Sequence, residues 1–309
     1  FVRACCEDNL GNIWIGTFNG LNRYDKSTGL FQNHTASDAQ SDGLTHSSIW
    51  CIVKDNQGTL WLGTYFGGVN YFNPEYEIYS RYMYSPIEKK GLSNPVVGRT
   101  IEDKNGNLWI GTEGGGLNYY NRRTREFKWF RPGSGPNSIS HNNIKALYYD
   151  ASKDIIWIGT HLGGLNRLDI HSGRFTHYRM EADNPETLPS DIIRDIVPYQ
   201  HQLVVATQNG ICLFDPANGK CQQLFQDSKE GKRIKMVADI TFDSNGTLWI
   251  AATGEGVFSY RFDTGKLTNY RHDSANPNSL SNNNVNNIMQ DSQGLSLIHI
   301  SEPTRHLRI

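Results

Sequence analysis

Net charge and cysteine are both scarce in this 309-residue chain, and each shortage removes a class of function. The 30 basic and 31 acidic residues leave a formal charge of −1, so nothing marks a nucleic-acid contact or an anionic membrane surface. The five cysteines have no metal-ligand spacing: Cys5 and Cys6 are adjacent, Cys51 is alone, and Cys212 and Cys221 flank a hairpin turn. An odd count without paired spacing argues against a disulfide framework. A single Cys212–Cys221 bridge stays open, and most of the five read as small buried residues. No apolar run approaches the roughly 18 residues of a membrane span. Helical periodicity is absent, as are His-x-x-x-His, Cys-x-x-Cys and Gly-x-Ser-x-Gly patterns. Gly114-Gly115-Gly116 lies between strands, with no helix N-terminus behind it to receive a phosphate. No metal, cofactor or catalytic residue is therefore expected. The chain opens inside a repeat, so the lack of a leader there carries no weight.

Turn formers and aromatics are plentiful instead, with 30 glycines, 15 tyrosines, 13 phenylalanines and 7 tryptophans. That pairing suits an all-β chain with many tight turns. The segment Ile13–Thr17 (IWIGT) returns at Leu60–Thr64, Leu108–Thr112 and Ile156–Thr160, then in degenerate form at Leu203–Thr207 and Leu248–Ala252. Its tryptophan position falls at Trp14, Trp61, Trp109, Trp157, Val204 and Trp249, at intervals of 47, 48, 48, 47 and 45 residues. Each copy holds four short strands. An apolar strand ends in an Asp/Asn/Gly turn such as Asp55–Gly58, the tryptophan strand follows, and two further strands lie beyond a glycine turn. Four strands repeated at this period predict a β-propeller of four-stranded antiparallel blades. The blades fall at about 1–44, 45–92, 93–139, 140–188, 189–233 and 234–280, with a partial seventh at 281–294. One blade cannot bury both faces, so the repeated tryptophan is read as core between blades. Gly20, Gly68, Gly116, Gly164, Gly210 and Gly256 occupy one turn position and are read as backbone requirements.

The seventh copy starts regularly with Val285–Asp291, but Leu297 stands where a tryptophan is due. Residues 295–309 fit no part of the unit and resemble the translation of a transposase-type sequencing adapter, so they are expected to be foreign to the protein.

The repeat, V-x-x-I-x-x-D-x-x-G-x-L-W-I-G-T-x-x-G-G-L-x-x-Y-D, is clearest at Ile144–Asp169 and Val97–Asn121. It resembles the two-component regulator propeller repeat over Phe1–Gly294. Blade five departs most, with Val204 for tryptophan and Ala206 for glycine. The resemblance implies the periplasmic sensor region of a hybrid two-component histidine kinase that detects an oligosaccharide and controls glycan-utilisation genes by phosphorelay. It also implies a second propeller and an immunoglobulin-like domain in the parent chain, membrane anchorage, and a homodimer. Phosphotransfer would belong to the parent and not to these residues.

Propeller topology gathers the loops before each first strand and the turns after each second strand on one face. There the sequence offers Tyr65, Phe66, His46, His141, His161, Glu113, Asn19 and Asn209 as ligand-binding candidates. Sugar hydroxyls need short polar partners, and pyranose faces stack on aromatic rings. Serine and asparagine before a strand serve turns, whereas histidine is expected to have no such role, so the three histidines stand out. Consecutive aromatics are likewise not required by a glycine turn. Two other readings compete, a propeller enzyme acting on polysaccharide and a protein-interaction scaffold; Glu113 and Glu255, on blades three apart, leave a carboxylate pair open without suggesting one, because any propeller offers such pairs. A pair at hydrolase spacing would favour the enzyme, and an apolar patch on a side edge the scaffold. Long-read resequencing of the locus is expected to depart from the present sequence after Gly294; recovering the same tail with coding sequence beyond it would overturn the adapter reading.

Overall fold

The computed structural model describes residues 2–36, 43–74, 78–226, 228–290 and, as strand backbone, 296–300. They form the expected all-β propeller: six four-stranded antiparallel sheets, each strand paired with its neighbour in sequence, and a two-stranded seventh. The innermost strands are Val2–Glu7, Ile49–Lys54, Val97–Glu102, Ile144–Asp150, Ile193–Tyr199, Val237–Phe242 and Val285–Gln290. They touch one another in that order, and the last also meets the first, which closes the ring. Ser296–Ile300 runs antiparallel to Val285–Gln290 as the second strand of the seventh sheet. The rest of the tail, 295 and 301–309, lies outside the described residues. No helix among them is long and apolar enough to cross a membrane.

The core sits between blades, as a sheet with two apolar faces requires. Trp14 packs with Ile49 and Leu62 of the second blade, Trp109 with Ile144 and Ile158 of the fourth, and Trp157 with Ile193 and Phe214 of the fifth. Trp14, Trp61, Trp109 and Trp157 are at most 4 % exposed. Burying an apolar side chain of that class stabilises by roughly 2–3 kcal/mol. Trp249 faces the two-stranded seventh sheet and is only half-buried. Where Val204 replaces the tryptophan, the interface of blades five and six holds Tyr199 stacked on Phe262 at 4.0 Å.

A buried indole N–H needs an acceptor, and the turn aspartate six residues earlier supplies it. Trp14, Trp61, Trp109 and Trp249 donate to Asp8, Asp55, Asp103 and Asp243 at 2.7, 2.6, 3.2 and 3.0 Å. The other carboxylate oxygen accepts turn N–H groups, as Asp55 Oδ1 does from Gln57 and Thr59. One residue thus satisfies the hairpin and the interface together.

The six repeated glycines all have positive φ. In five of them the N–H donates to the loop entering the next blade, from Gly20 to Ser47, Gly68 to Pro95, Gly116 to Asn142, Gly164 to Asp191 and Gly256 to Asn283. Blade five departs again: there Met236 N–H donates back to the Gln208 carbonyl at 3.0 Å.

The glycine inside each tryptophan strand answers a different need. A Cβ at Gly111 would lie 2.6 Å from Ile144 Cγ2, and one at Gly159 would lie 2.5 Å from Ile193 Cγ2. Each opposed isoleucine begins the next blade's innermost strand, so the missing side chain sets how near two blades come. Gly111→Ala is expected to lower stability by about 1–3 kcal/mol. Gly135→Ala, where nothing lies within 4 Å of the added carbon, should change it by less than about 0.5 kcal/mol. Urea denaturation of the two variants tests the contrast, and equal midpoints would refute it.

Candidate functional site

Each innermost strand departs from regular pairing opposite the glycine, or its counterpart, of the tryptophan strand, within its first three or four residues. A bulge leaves one residue unpaired and re-aims its side chain. Arg3, Trp50, Gly98, Lys145, Arg194 and Asn286 occupy the second position of their strands and line one cavity of about 450 Å3 at the centre of the ring. Positions that follow the residue packed between blades thus supply much of the cavity's lining.

The third positions carry charge in three blades. Arg99 Nη2 reaches across the ring to Asp239 Oδ1 at 3.0 Å and lies 3.8 Å from Asp195 Oδ2. Asp195 Oδ2 accepts the Ile240 N–H at 3.2 Å, and Asp239 Oδ2 accepts the Ile288 N–H at 2.9 Å, so each carboxylate ties its strand to the next. Both aspartates are at most 9 % exposed. Burial, then the neighbouring Asp195, push Asp239 up to about 8 against the pull of Arg99. Arg99 is held firmly protonated, above all by Asp195.

An aromatic group adjoins the cavity. The Arg3 guanidinium lies 4.1 Å from the Trp50 ring centre and 5.1 Å from that of Phe18. Trp50 stacks with Tyr65 at 5.8 Å, Tyr65 meets Phe66 edge-on at 4.3 Å, and His46 meets Phe66 at 6.1 Å. Of the sequence candidates, Tyr65, Phe66 and His46 therefore come together. Glu113 lines the cavity and is ion-paired with Lys145. His141 and His161 form a second group, with ring centres 6.4 Å apart. Burial, Lys145, Arg194 and His141 all hold His161 below the ordinary histidine range. Asn19 and Asn209 sit apart at exposed turn tips, where their backbone N–H groups bond Thr17 and Thr207.

One expectation needs correction. Histidine does serve these turns: His46 Nδ1 accepts the Ser48 N–H and His141 Nδ1 the Asn143 N–H, both at 3.0 Å. Asn94 does the same for Val96 at 2.8 Å, so imidazole here replaces an amide in an Asx-type turn. Glu113 and Glu255 are not a free carboxylate pair, because Glu255 is held by Arg233 and Arg271. Among the described residues no three His, Cys, Asp or Glu side chains group to hold a metal ion.

Comparison with known proteins now adds to the geometry. The family described as "Two component regulator propeller" matches residues 1–19, 43–66 and 91–114. That described as "SMP-30/Gluconolactonase/LRE-like region" matches 146–300. Three of its repeats match the two-component regulator propellers, and residues 146–300, half of the chain, belong to the SMP-30/gluconolactonase/LRE-like region. Among solved structures it is similar to the extracellular domain of a B. thetaiotaomicron protein described as a hybrid two component system, BT3049. The TM-score is 0.82 at 22% identity, covering 96% of this chain and 38% of that one. It is also similar to PorZ of the type-IX secretion system of Porphyromonas gingivalis, with TM-score 0.63, 18% identity, and 86% and 45% coverage. Virginiamycin B lyase from Staphylococcus aureus follows the same fold, with TM-score 0.67, 13% identity, and 93% and 88% coverage. The chain thus spans less than half the length of the first two. No curated protein matches its sequence.

The sequence reading missed Arg3, Trp50, Arg99, Lys145, Arg194, Asp195 and Asp239. Their signal was present: each follows by one or two residues the apolar residue that opens an innermost strand. The raised Asp239 carboxyl gives a test. Between about pH 4, where an unfolded aspartate ionises, and about pH 8, the folded chain keeps a proton that the unfolded chain has lost. Stability should therefore fall as pH rises through that window. Asp239→Asn should flatten the trend, and thermal midpoints of both proteins from pH 5 to 8 check it.

Proposed function

We propose that this propeller is a ligand-sensing part of an extracytoplasmic sensor region in a two-component system, and that its ligand is an oligosaccharide. The observation that carries the reading is the Trp50–Tyr65–Phe66 aromatic group beside a polar central cavity, in a chain of two-component regulator propeller repeats. Rings offer stacking faces for pyranoses, and the surrounding donors and acceptors suit hydroxyls. Signalling follows if the bound sugar favours one arrangement of this propeller with a second propeller and an immunoglobulin-like domain of the parent, and so of a homodimer. The ligand shifts that equilibrium only by its differential affinity for the two states. Leu30 and Phe31, 69% and 65% exposed on the outermost strand of blade one, offer a neighbouring domain an apolar place to rest. Periplasmic residence and an inner-membrane anchor belong to the same proposal, as does control of glycan-utilisation genes through a phosphorelay.

A second reading, a polysaccharide-acting enzyme, draws on the match of 146–300 to the SMP-30/gluconolactonase/LRE-like region and on the buried Asp195–Asp239 pair. One experiment separates the two. Calorimetry against plant and host oligosaccharides should find a glycan that binds, is recovered intact, and binds about tenfold more weakly to a Tyr65→Ala/Phe66→Ala variant. Cleavage of the glycan would replace the sensor reading with the enzyme, and an absence of binding across the panel would remove both.

A further inference from the structure

The charges of the central cavity do not balance. Four cations line it: Arg3, Arg99, Lys145 and Arg194. Two have acidic partners, since Arg99 faces Asp195 and Asp239, and Lys145 pairs with Glu113. The other two do not. Arg3 donates to the neutral Ser48 hydroxyl at 3.0 Å and lies over Trp50, while Arg194 has no acidic partner among the described residues. The remaining anions cannot make up the difference, because the aspartates are turned to Arg99 and to backbone N–H groups. Two electrostatic signs agree with this. Burial depresses the Arg3 guanidinium against the pull of Tyr65 and Glu113, and burial, then Lys145 and Arg194, hold His161 below the ordinary histidine range. A cation withdrawn from water without a counter-charge is costly, and an incoming anion recovers that cost.

The aromatic side of the cavity constrains the rest of the ligand. Trp50 Nε1 is buried without a hydrogen-bond partner, so one donor beside Arg3 is left unused. Tyr65 extends the stack behind it. A bare inorganic anion would use the charges and leave these rings idle, whereas a neutral sugar would use the rings and leave the charges unmet. A volume of about 450 Å3 accommodates a small saccharide.

We propose that the cavity takes an acidic saccharide, with its carboxylate or sulfate ester held by Arg194 and Arg3 and a ring face laid on the Trp50–Tyr65 side. This deepens the oligosaccharide reading and rests on it. The site discriminates by charge first and by sugar second. Arg194 supplies the stronger test, since it makes no hydrogen bond that holds the fold.

The test is calorimetry on the full chain with three sets of probes: uronic-acid oligosaccharides, the same compounds as uncharged methyl esters, and sulfated disaccharides. Neutral oligosaccharides serve as the control set. The acidic form should bind at least tenfold more tightly than its ester or neutral counterpart, and Arg194→Gln should remove that advantage without moving the thermal midpoint. Arg3→Gln should act in the same direction, and added salt should weaken the acidic ligand alone. Binding confined to the uronates or to the sulfated set identifies which anion the site reads. If methyl esters or neutral sugars bind as tightly as the acids, or if Arg194→Gln leaves acid affinity unchanged, the charge proposal fails while the sugar-sensing reading stands. If inorganic sulfate binds as well as any saccharide, or if no probe binds, both fail.

Discussion

The closeness of neighbouring blades depends on one small contact. Gly16, Gly63, Gly111 and Gly159 each face the β-branched residue that opens the next blade, Ile49, Val97, Ile144 and Ile193. Without a side chain on one partner, the branched residue seats against backbone and the innermost strands come into contact around the ring. The tryptophan two residues earlier then reaches its neighbour's apolar face, and its indole N–H, carried out of water, has to meet the turn aspartate. Radial packing, the acidic hairpins and the central cavity thus follow from a single spacing. In blade five, where Ala206 and Val204 stand for the glycine and the tryptophan, the interface beyond them is filled by Tyr199, Phe242 and Phe262.

The fold was legible because the repeat imposes the same demands in every blade. Tryptophan, glycine and aspartate recur at fixed spacing since each blade must solve one packing problem. The hairpins, the interface role of Trp14 through Trp157 and the glycine turns could all be read from that recurrence. The cavity was far less legible for the complementary reason. Arg3, Trp50, Gly98, Lys145, Arg194, Ala238 and Asn286 share a register position but no chemistry, so a repeat makes them look like noise. The bulge that turns them inward leaves no residue signature of its own. Differences between copies, rather than their likeness, held the information about the site.

The loop residues illustrate a second limit. His46, His141 and Asn94 are chemically distinct in sequence, yet each accepts the N–H two residues ahead. Thr45, Ser93 and Ser140 are likewise bound, to the buried Asn70, Asn118 and Asn166 of their own blades. Polar richness on this face is therefore largely used in holding loops. Tyr65 and Phe66 differ, because no backbone group depends on their rings. Arg99 and its aspartates form a brace across the ring, which leaves Arg3 and Arg194 as the charges whose placement the fold does not explain.

The two turn-holding histidines also fix a proton. With Nδ1 accepting from the backbone, a neutral ring must carry its hydrogen on Nε2. His46 and His141 are therefore locked in one tautomer, each a donor at its outer nitrogen and never an acceptor. A glutamine in the same place could turn its amide over, and a serine could rotate its hydroxyl. These rings can do neither, so the rim of the propeller holds two donors of fixed polarity whatever approaches it.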